Sequence, residues 1–274
     1  MESNTQKRSS NLLLKLVIIV TISILLLVPQ AIIQSMISER ASTNCEAIDE
    51  VYQKWGSGCA IYGPVLFIPG KSSAKQNVYI MPEEFKAQAR INTQLLNRGI
   101  YDISVYDAPV SLDGEFVLPQ ELDESQRSQL DFSRAQLLFT INDFKGFADY
   151  PVLTFQGQTL ALNASGKQLA DYNALSCPVD ISNLANSGSA SFHLEAMLRG
   201  SCDINIVPVG RNSHIQIASN CVTPSFSGDY LPAERNVTDS GFTASWKVLA
   251  LNRDFPQVLH SHTELRSANW VSVD

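Results

Sequence analysis

Hydrophobic and polar positions divide the chain into three textures. From Leu16 to Ser38 there is no charged residue, and as far as Ile33 the run is almost wholly aliphatic. As a helix, these 23 residues rise about 34 Å, enough to cross a hydrocarbon core of about 30 Å. The run is longer than the apolar region of a cleaved leader, and "PQAIIQSM" is a poor cleavage site, so an uncleaved anchor is expected. Pro29 lies near its far end, where a kink is tolerated. Beyond it Ala47, Ile48, Val51, Tyr52 and Trp55 recur at spacings of three and four, a helical stripe. Gly56 and Gly58 close it. The pattern predicts a membrane helix over 16–38 and a helical stalk to about residue 58, with its aromatic end docked on the domain beyond.

From "GPVLFIPG" (Gly63–Gly70) onward, short β-rich runs alternate with Gly, Pro, Asn and Asp. Strands are predicted at Val65–Ile68, Asn77–Met81, Phe85–Leu95, Ile103–Tyr106, Gln136–Ile141, Val152–Phe155, Ser191–Leu198, Asp203–Val207, His214–Ala218 and Phe242–Lys247. In Ser191–Leu198 the alternation of Phe192, Leu194, Ala196 and Leu198 buries one face and wets the other. "QELDESQRSQLDF" (Gln120–Phe132) reads as a short polar helix or a loop. The fold class expected is therefore mainly β: a membrane helix and stalk, then an antiparallel β-sandwich-like region over 59–274.

Two finer patterns carry expectations. "RGIYDISV" (Arg98–Val105) and "RGSCDINI" (Arg199–Ile206) echo one another, each after an alternating run, which suggests two related modules, 59–165 and 166–274. The period-two faces Cys202, Ile204, Ile206 and Ile215, Ile217, Cys221 fit a hairpin turning at "GRNS" (Gly210–Ser213). That register sets Cys202 opposite Cys221 and predicts a cross-strand disulfide.

Charge adds orientation. Lys7, Arg8 and Lys15 precede the apolar run, while Glu39, Glu46, Asp49 and Glu50 come after it, so residues 1–15 are expected in the cytoplasm and the β-region outside. With 20 basic and 27 acidic residues the net charge is −7, and no basic cluster appears in the sequence, which argues against nucleic acid as a partner. The five cysteines form no C-x-x-C pair, which weakens zinc and redox-motif readings.

Candidate chemistry is thin. There is no G-x-S-x-G elbow, no phosphate-binding glycine loop and no H-E-x-x-H, and "SSAK" (Ser72–Lys75) only loosely matches an S-x-x-K motif in a loop. His193 and His214 fall opposite the apolar faces of their strands and are expected in solvent. His260 and His262 alternate as in an exposed strand, giving at most a partial metal site. No catalytic residue, metal or cofactor is expected. In "PSFSGDYLPAERNV" (Pro224–Val237) and just before it, charge and aromatics cluster. Arg211, His214, Asp229, Tyr230 and Arg235 are the candidate binding residues, with Asp229 and Arg235 as a potential pair; Glu234 joins them if the domain is a hydrolase.

"VPVGRNSHIQIASN" (Val207–Asn220) followed by "PSFSGDYLPAERNVTDSGFTASW" (Pro224–Trp246) resembles the CreD family of bacterial inner-membrane proteins, also called cell envelope integrity proteins. So do "LLVPQAIIQSMISER" (Leu26–Arg40), "WGSGCAIYGPVLFIPG" (Trp55–Gly70), "NRGIYDISVYDA" (Asn97–Ala108), "DFKGFADYP" (Asp143–Pro151) and "NRDFPQ" (Asn252–Gln257), in order along the chain. The resemblance implies an inner-membrane location, a periplasmic domain on one N-terminal helix, and a link to envelope and β-lactam stress. It supplies no catalytic residues. It also implies a further bundle of membrane helices, so a chain stopping at Asp274 is expected to be a truncated or split form. The expected function is a non-enzymatic periplasmic binding or scaffold domain, with the lipid bilayer and an envelope protein or peptidoglycan as partners. An envelope hydrolase and a stress-sensing domain are the alternatives.

Overall fold

The computed structural model describes residues 3–56, 58–71, 77–98, 101–184 and 188–274. Ser72–Lys75, Gly99 and Ile100 lie outside them. A single helix, α1 (Ser3–Trp55), takes in both the expected membrane segment and the stalk, with Pro29 inside it. Leu16–Val20, Leu25–Leu27, Ile32, Ile33, Met36 and Ile37 are all exposed, so apolar side chains surround the helix on every side. A helix hydrophobic all round suits lipid rather than a protein groove. By compactness the chain forms two units, Met1–Glu50 and Val51–Asp274.

The second unit begins with the last turn of α1. Val51 is buried, and the Trp55 ring takes the Arg199 guanidinium over its face. Gly56 then adopts φ +109°, a left-handed conformation that ends helices. There follow β1 (Cys59–Ile68), β2 (Val78–Ile80), β3 (Glu84–Arg98), β4 (Tyr101–Phe116), α2 (Glu124–Gln129), β5 (Gln136–Ile141), β6 (Val152–Phe155), β7 (Gln158–Ala161), β8 (Asn163–Leu169), β9 (Tyr172–Pro178), β10 (Ala190–Ser201), β11 (Ile204–Ile206), β12 (Asn212–Ser219), β13 (Glu234–Thr238), β14 (Gly241–Leu249), β15 (Val258–Leu259) and β16 (Val271–Val273). The ambiguous segment at 120–132 resolves into α2, where Asp123 and Gln126 form a reciprocal capping box.

The strands form two eight-stranded sheets over one hydrophobic core. The first runs β15-β2-β1-β5-β9-β8, with β11 beside the start of β1 and β16 beside β11. β1 is buried on both faces, as its near-continuous apolar run requires. It bulges between Tyr62 and Val65, where a Cβ on Gly63 would meet the Leu138 carbonyl oxygen at 2.8 Å. The second sheet runs β13-β14-β12-β3-β4-β10-β6-β7. Its long β3–β4–β10 centre sends Phe85, Ala87, Leu112, Val110, Phe192 and Leu194 into the core.

Four expectations change. The sheets are not purely antiparallel, because β1–β11 and β3–β12 pair in parallel. The two-module division fails: each sheet draws strands from both halves, and the boundary at 165 falls inside β8. The echoed motifs behave differently too, since the first joins β3 to β4 within one sheet and the second carries the chain from β10 in one sheet to β11 in the other. The Cys202–Cys221 hairpin does not form. β11 pairs with β1 and β16, β12 with β3 and β14, and the segment between them crosses from sheet to sheet. Both cysteines are free thiols, Cys202 at φ +71° with its sulfur against the Tyr52 hydroxyl, and Cys221 packed on the core rim. Alternation specifies which face of a strand is buried, not which strand lies beside it, so two runs facing one core from opposite sheets satisfy the same pattern.

Candidate functional site

The outer face of the second sheet is concave where a trough and two smaller depressions lie on it. Its residues follow from alternation. In β3, Phe85, Ala87 and Ala89 point inward, so Lys86, Gln88 and Arg90 point out. In β12, Ile215 and Ile217 are buried and His214 and Gln216 exposed; in β14, Ala244 and Trp246 are buried and Thr243 and Lys247 exposed. The registers set these into rows. One reads His193, Asp113, Lys86, His214, Lys247 across β10, β4, β3, β12 and β14; the next reads Glu195, Ser111, Gln88, Gln216, Ser245. A trough of about 630 Å³ lies over the second row, lined by Arg90, Ser111, Glu195, Gln216 and Thr243. Tyr150, Val152 and Met197 line its β6–β10 side. Smaller depressions continue along the same face towards Asn236 and Thr238.

One cluster on this face has the composition of a hydrolytic triad but not its order. Asp113 accepts the Ser111 hydroxyl at 3.0 Å and faces His193 Nδ1 at 2.7 Å, while His193 Nε2 lies 3.3 Å from Glu195. In a Ser-His-Asp triad the imidazole stands between hydroxyl and carboxylate and takes the hydroxyl proton. Here the carboxylate stands in the middle, and the imidazole faces acids on both sides. The hydrogen bond that the imidazole donates to Asp113 is the main reason the His193 pKa is raised, with burial opposing it and Glu195 adding to it. The arrangement favours the protonated imidazole and sets no base between the Ser111 hydroxyl and Asp113. His193 is thus half-buried and paired, not simply solvated.

The five residues expected to bind a ligand do not converge. Arg211 lies where the parallel strands β3 and β12 start, donating through Nε to Glu83 at 2.9 Å and through Nη2 to Glu121 at 3.3 Å. The Glu83 hydrogen bond chiefly raises its pKa. Behind it, Arg253 donates to the Val209 carbonyl and to Gln257 and stacks on Phe255; burial, then Arg211, lowers its pKa to about 10. His214 is exposed on the concave face. Asp229 is not paired with Arg235. Its carboxylate accepts the Trp270 N–H at 3.0 Å, and its own N–H donates to the Trp270 carbonyl. Tyr230 donates its hydroxyl to the Asn252 carbonyl at 2.8 Å, and burial raises its pKa. Arg235 is exposed on edge strand β13.

Pro224–Val237 is therefore a structural strap. Phe226 packs edge-on against Phe242 and Trp246, and the Trp246 indole N–H donates to the Tyr230 carbonyl at 2.9 Å. Ser225 and Asp274 exchange backbone hydrogen bonds. At Gly228 the strap touches β16 so closely that a Cβ would sit 2.4 Å from the Ser272 nitrogen. His260 and His262 are not in a strand. His262 begins a short 3-10 turn capped by Ser261 and lies 2.8 Å from the Ala170 carbonyl.

Sequence reasoning passed over Lys86, Gln88, Arg90, Gln216 and Lys247. Their outward direction was readable from alternation. Their lateral order, β14-β12-β3-β4-β10, was not, because β3 and β12 are a parallel pair far apart in sequence.

Among solved structures, an M1 zinc metallopeptidase from Deinococcus radiodurans aligns with a TM-score of 0.30 and 7% identity over 71% of this chain and 42% of its own. An AChBP from Capitella teleta in complex with lobeline gives a TM-score of 0.17 and 9% identity over 85% of this chain and 97% of its own. Neither likeness bears on fold or chemistry. The Inner membrane protein CreD of Escherichia coli (strain K12) is 25% identical over 237 residues, covering 82% of this chain and 52% of that protein. The chain thus spans about half the length of that relative. The family described as "Inner membrane protein CreD" matches residues 11–274, apolar helix and β-domain together, and the chain belongs to that family.

Proposed function

We propose that this inner-membrane protein is a non-enzymatic binding module, with residues 1–15 in the cytoplasm and the β-domain in the periplasm, where it engages an envelope component. The carrying observation is the concave face: a wide trough floored by amides, hydroxyls and charges, reached from solvent along several strands. Binding faces of this kind join a preformed concavity to a few directed polar groups. The order of Ser111, Asp113 and His193 favours recognition over nucleophilic hydrolysis. The flanking charges of the apolar helix support the orientation. Envelope integrity and the response to β-lactam stress are the processes in which such a module would act.

Two measurements test the reading. A membrane-impermeant maleimide should label exposed Cys202 in spheroplasts, without lysis; labelling only after lysis removes the orientation. Tagged full-length chain cross-linked in membranes should capture an envelope component, and Gln88→Arg with Gln216→Arg should abolish capture. Failure of the wild-type chain to capture anything above background counts against a binding role.

A further inference from the structure

The trough on the second sheet carries charges of both signs, held apart. Arg90 rises from β3 within its floor, while Glu195 and Asp149 stand toward β6, and all are exposed. Among the described residues Arg90 makes no ion pair, even with Asp107, which opposes Asn92 further along β3. Glu195 Oε1 faces His193 Nε2 at 3.3 Å, but the side chain is 65% exposed, and a carboxylate has a second oxygen to offer. Asp149 accepts the N–H of its own neighbour Tyr150. Elsewhere on this face charge is balanced as well, with Glu84 and Glu115 beside Lys86. A simple anion or a simple cation finds no matching surface here; a ligand with one charge of each sign does.

The separation of the charges sets the length of that ligand. Strands β10, β4 and β3 are consecutive, and the registers place Arg90 one outward position further along than Glu195. A strand spacing of about 4.8 Å and a rise of about 3.4 Å per residue put their Cα atoms about 12 Å apart. A single amino acid is too short to join them. An extended chain of three residues spans about 10 Å, which the reach of the two side chains completes. Between the charges the floor offers Gln88, Ser111 and Gln216. Their amides and hydroxyl both donate and accept, as a peptide backbone requires. Ala218, opposite Arg90, keeps the floor low. Beside Glu195, Val152 and Met197 are 47% and 41% exposed and Tyr150 is 88% exposed, an apolar wall for a ligand side chain. We propose that the trough binds a short linear peptide with both ends free, its carboxylate on Arg90 and its ammonium on Glu195 and Asp149. This ligand class rests on the binding role argued above.

The test uses the full chain in nanodiscs of zwitterionic lipid, titrated calorimetrically with leucyl-alanyl-alanine. Saturable binding that weakens with added salt is expected. Acetylating the amine or amidating the carboxylate should each weaken it by about 10-fold, since each removes a charge-assisted contact. Arg90→Gln should weaken the free peptide by a similar factor and abolish the penalty for amidation while keeping that for acetylation. Glu195→Gln with Asp149→Asn should do the reverse. These exposed substitutions should leave the unfolding transition unchanged. Arg266→Gln, which removes a charge paired with Asp171 away from this face, should leave affinity unchanged. No saturable binding, equal binding of the doubly blocked peptide, or variants that leave both penalties intact would overturn the proposal. If the peptide fails while envelope capture persists, the binding role stands and its ligand class falls; if capture fails as well, both fall.

Discussion

At the residue scale, the concave face and the strap use the same residue types for different ends. Arg211, Asp229 and Tyr230 look like a ligand-binding set in sequence, yet each is tied to a partner within the domain. His193, which alternation assigned to solvent, is the titratable group with the most directed environment on the concave face. Its pKa is raised in the folded state. A raised cationic pKa contributes stability that is fully present below the unfolded value of about 6.5 and is lost as pH rises through the folded value. His193 and Asp113 are 42% and 45% exposed, so the contribution is expected to stay under about 1 kcal/mol. By NMR titration, Asp113→Asn should lower the His193 pKa. His193→Gln should flatten the fall in stability between mildly acidic and mildly basic pH. An unchanged titration in Asp113→Asn would refute the pairing. The thiols give a second check. Burial, with Asp203 and Asp143 adding to it, raises the Cys59 pKa to about 12, so Cys59 should resist a thiol reagent that rapidly modifies exposed Cys45 and Cys202.

At the scale of elements, the buried apolar runs were the most legible, although β4 runs from Tyr101 to Phe116 and only Ile103–Tyr106 was expected of it. Gln136–Ile141 and Val152–Phe155 form where predicted, and the core of β10 follows the alternation of Phe192 to Leu198. β7, β8 and β13 were missed because they are almost wholly exposed, so burial imposes no alternation on them. The strap was legible as a turn-rich segment, but its purpose was not, since its partners Trp270 and Ser272 lie some forty residues further on. Gly228 is where that purpose is sharpest. Gly228→Ala forces a Cβ against the Ser272 nitrogen and the Trp270 carbonyl, both backbone. Overpacking of this kind costs about 1–3 kcal/mol. Denaturant unfolding should show that loss, and a Gly228→Ala chain as stable as the parent would mean the strap does not grip β16.

At the scale of the whole molecule, both sheets share one core over Val51–Asp274, so the β-domain should unfold as one unit. Leu137→Ala in the first sheet and Leu194→Ala in the second, both fully buried, should each lower the same single transition by about 2–5 kcal/mol. Two separable transitions, each responding to one variant, would restore the two-module organisation. By itself the amino-acid order determined the apolar helix, the mainly β character and the inward or outward sense of most long strands, because these are local consequences of length and periodicity. It also carried the motifs of the CreD family. The tertiary structure alone decided which strands are neighbours. Sheet order is settled by contacts between segments far apart in the chain, and period-two alternation is indifferent to them. That order dissolved the Cys202–Cys221 hairpin, put an aspartate rather than a histidine at the centre of the Ser111 cluster, and drew Lys86, His214 and Lys247 from three separate strands into one row.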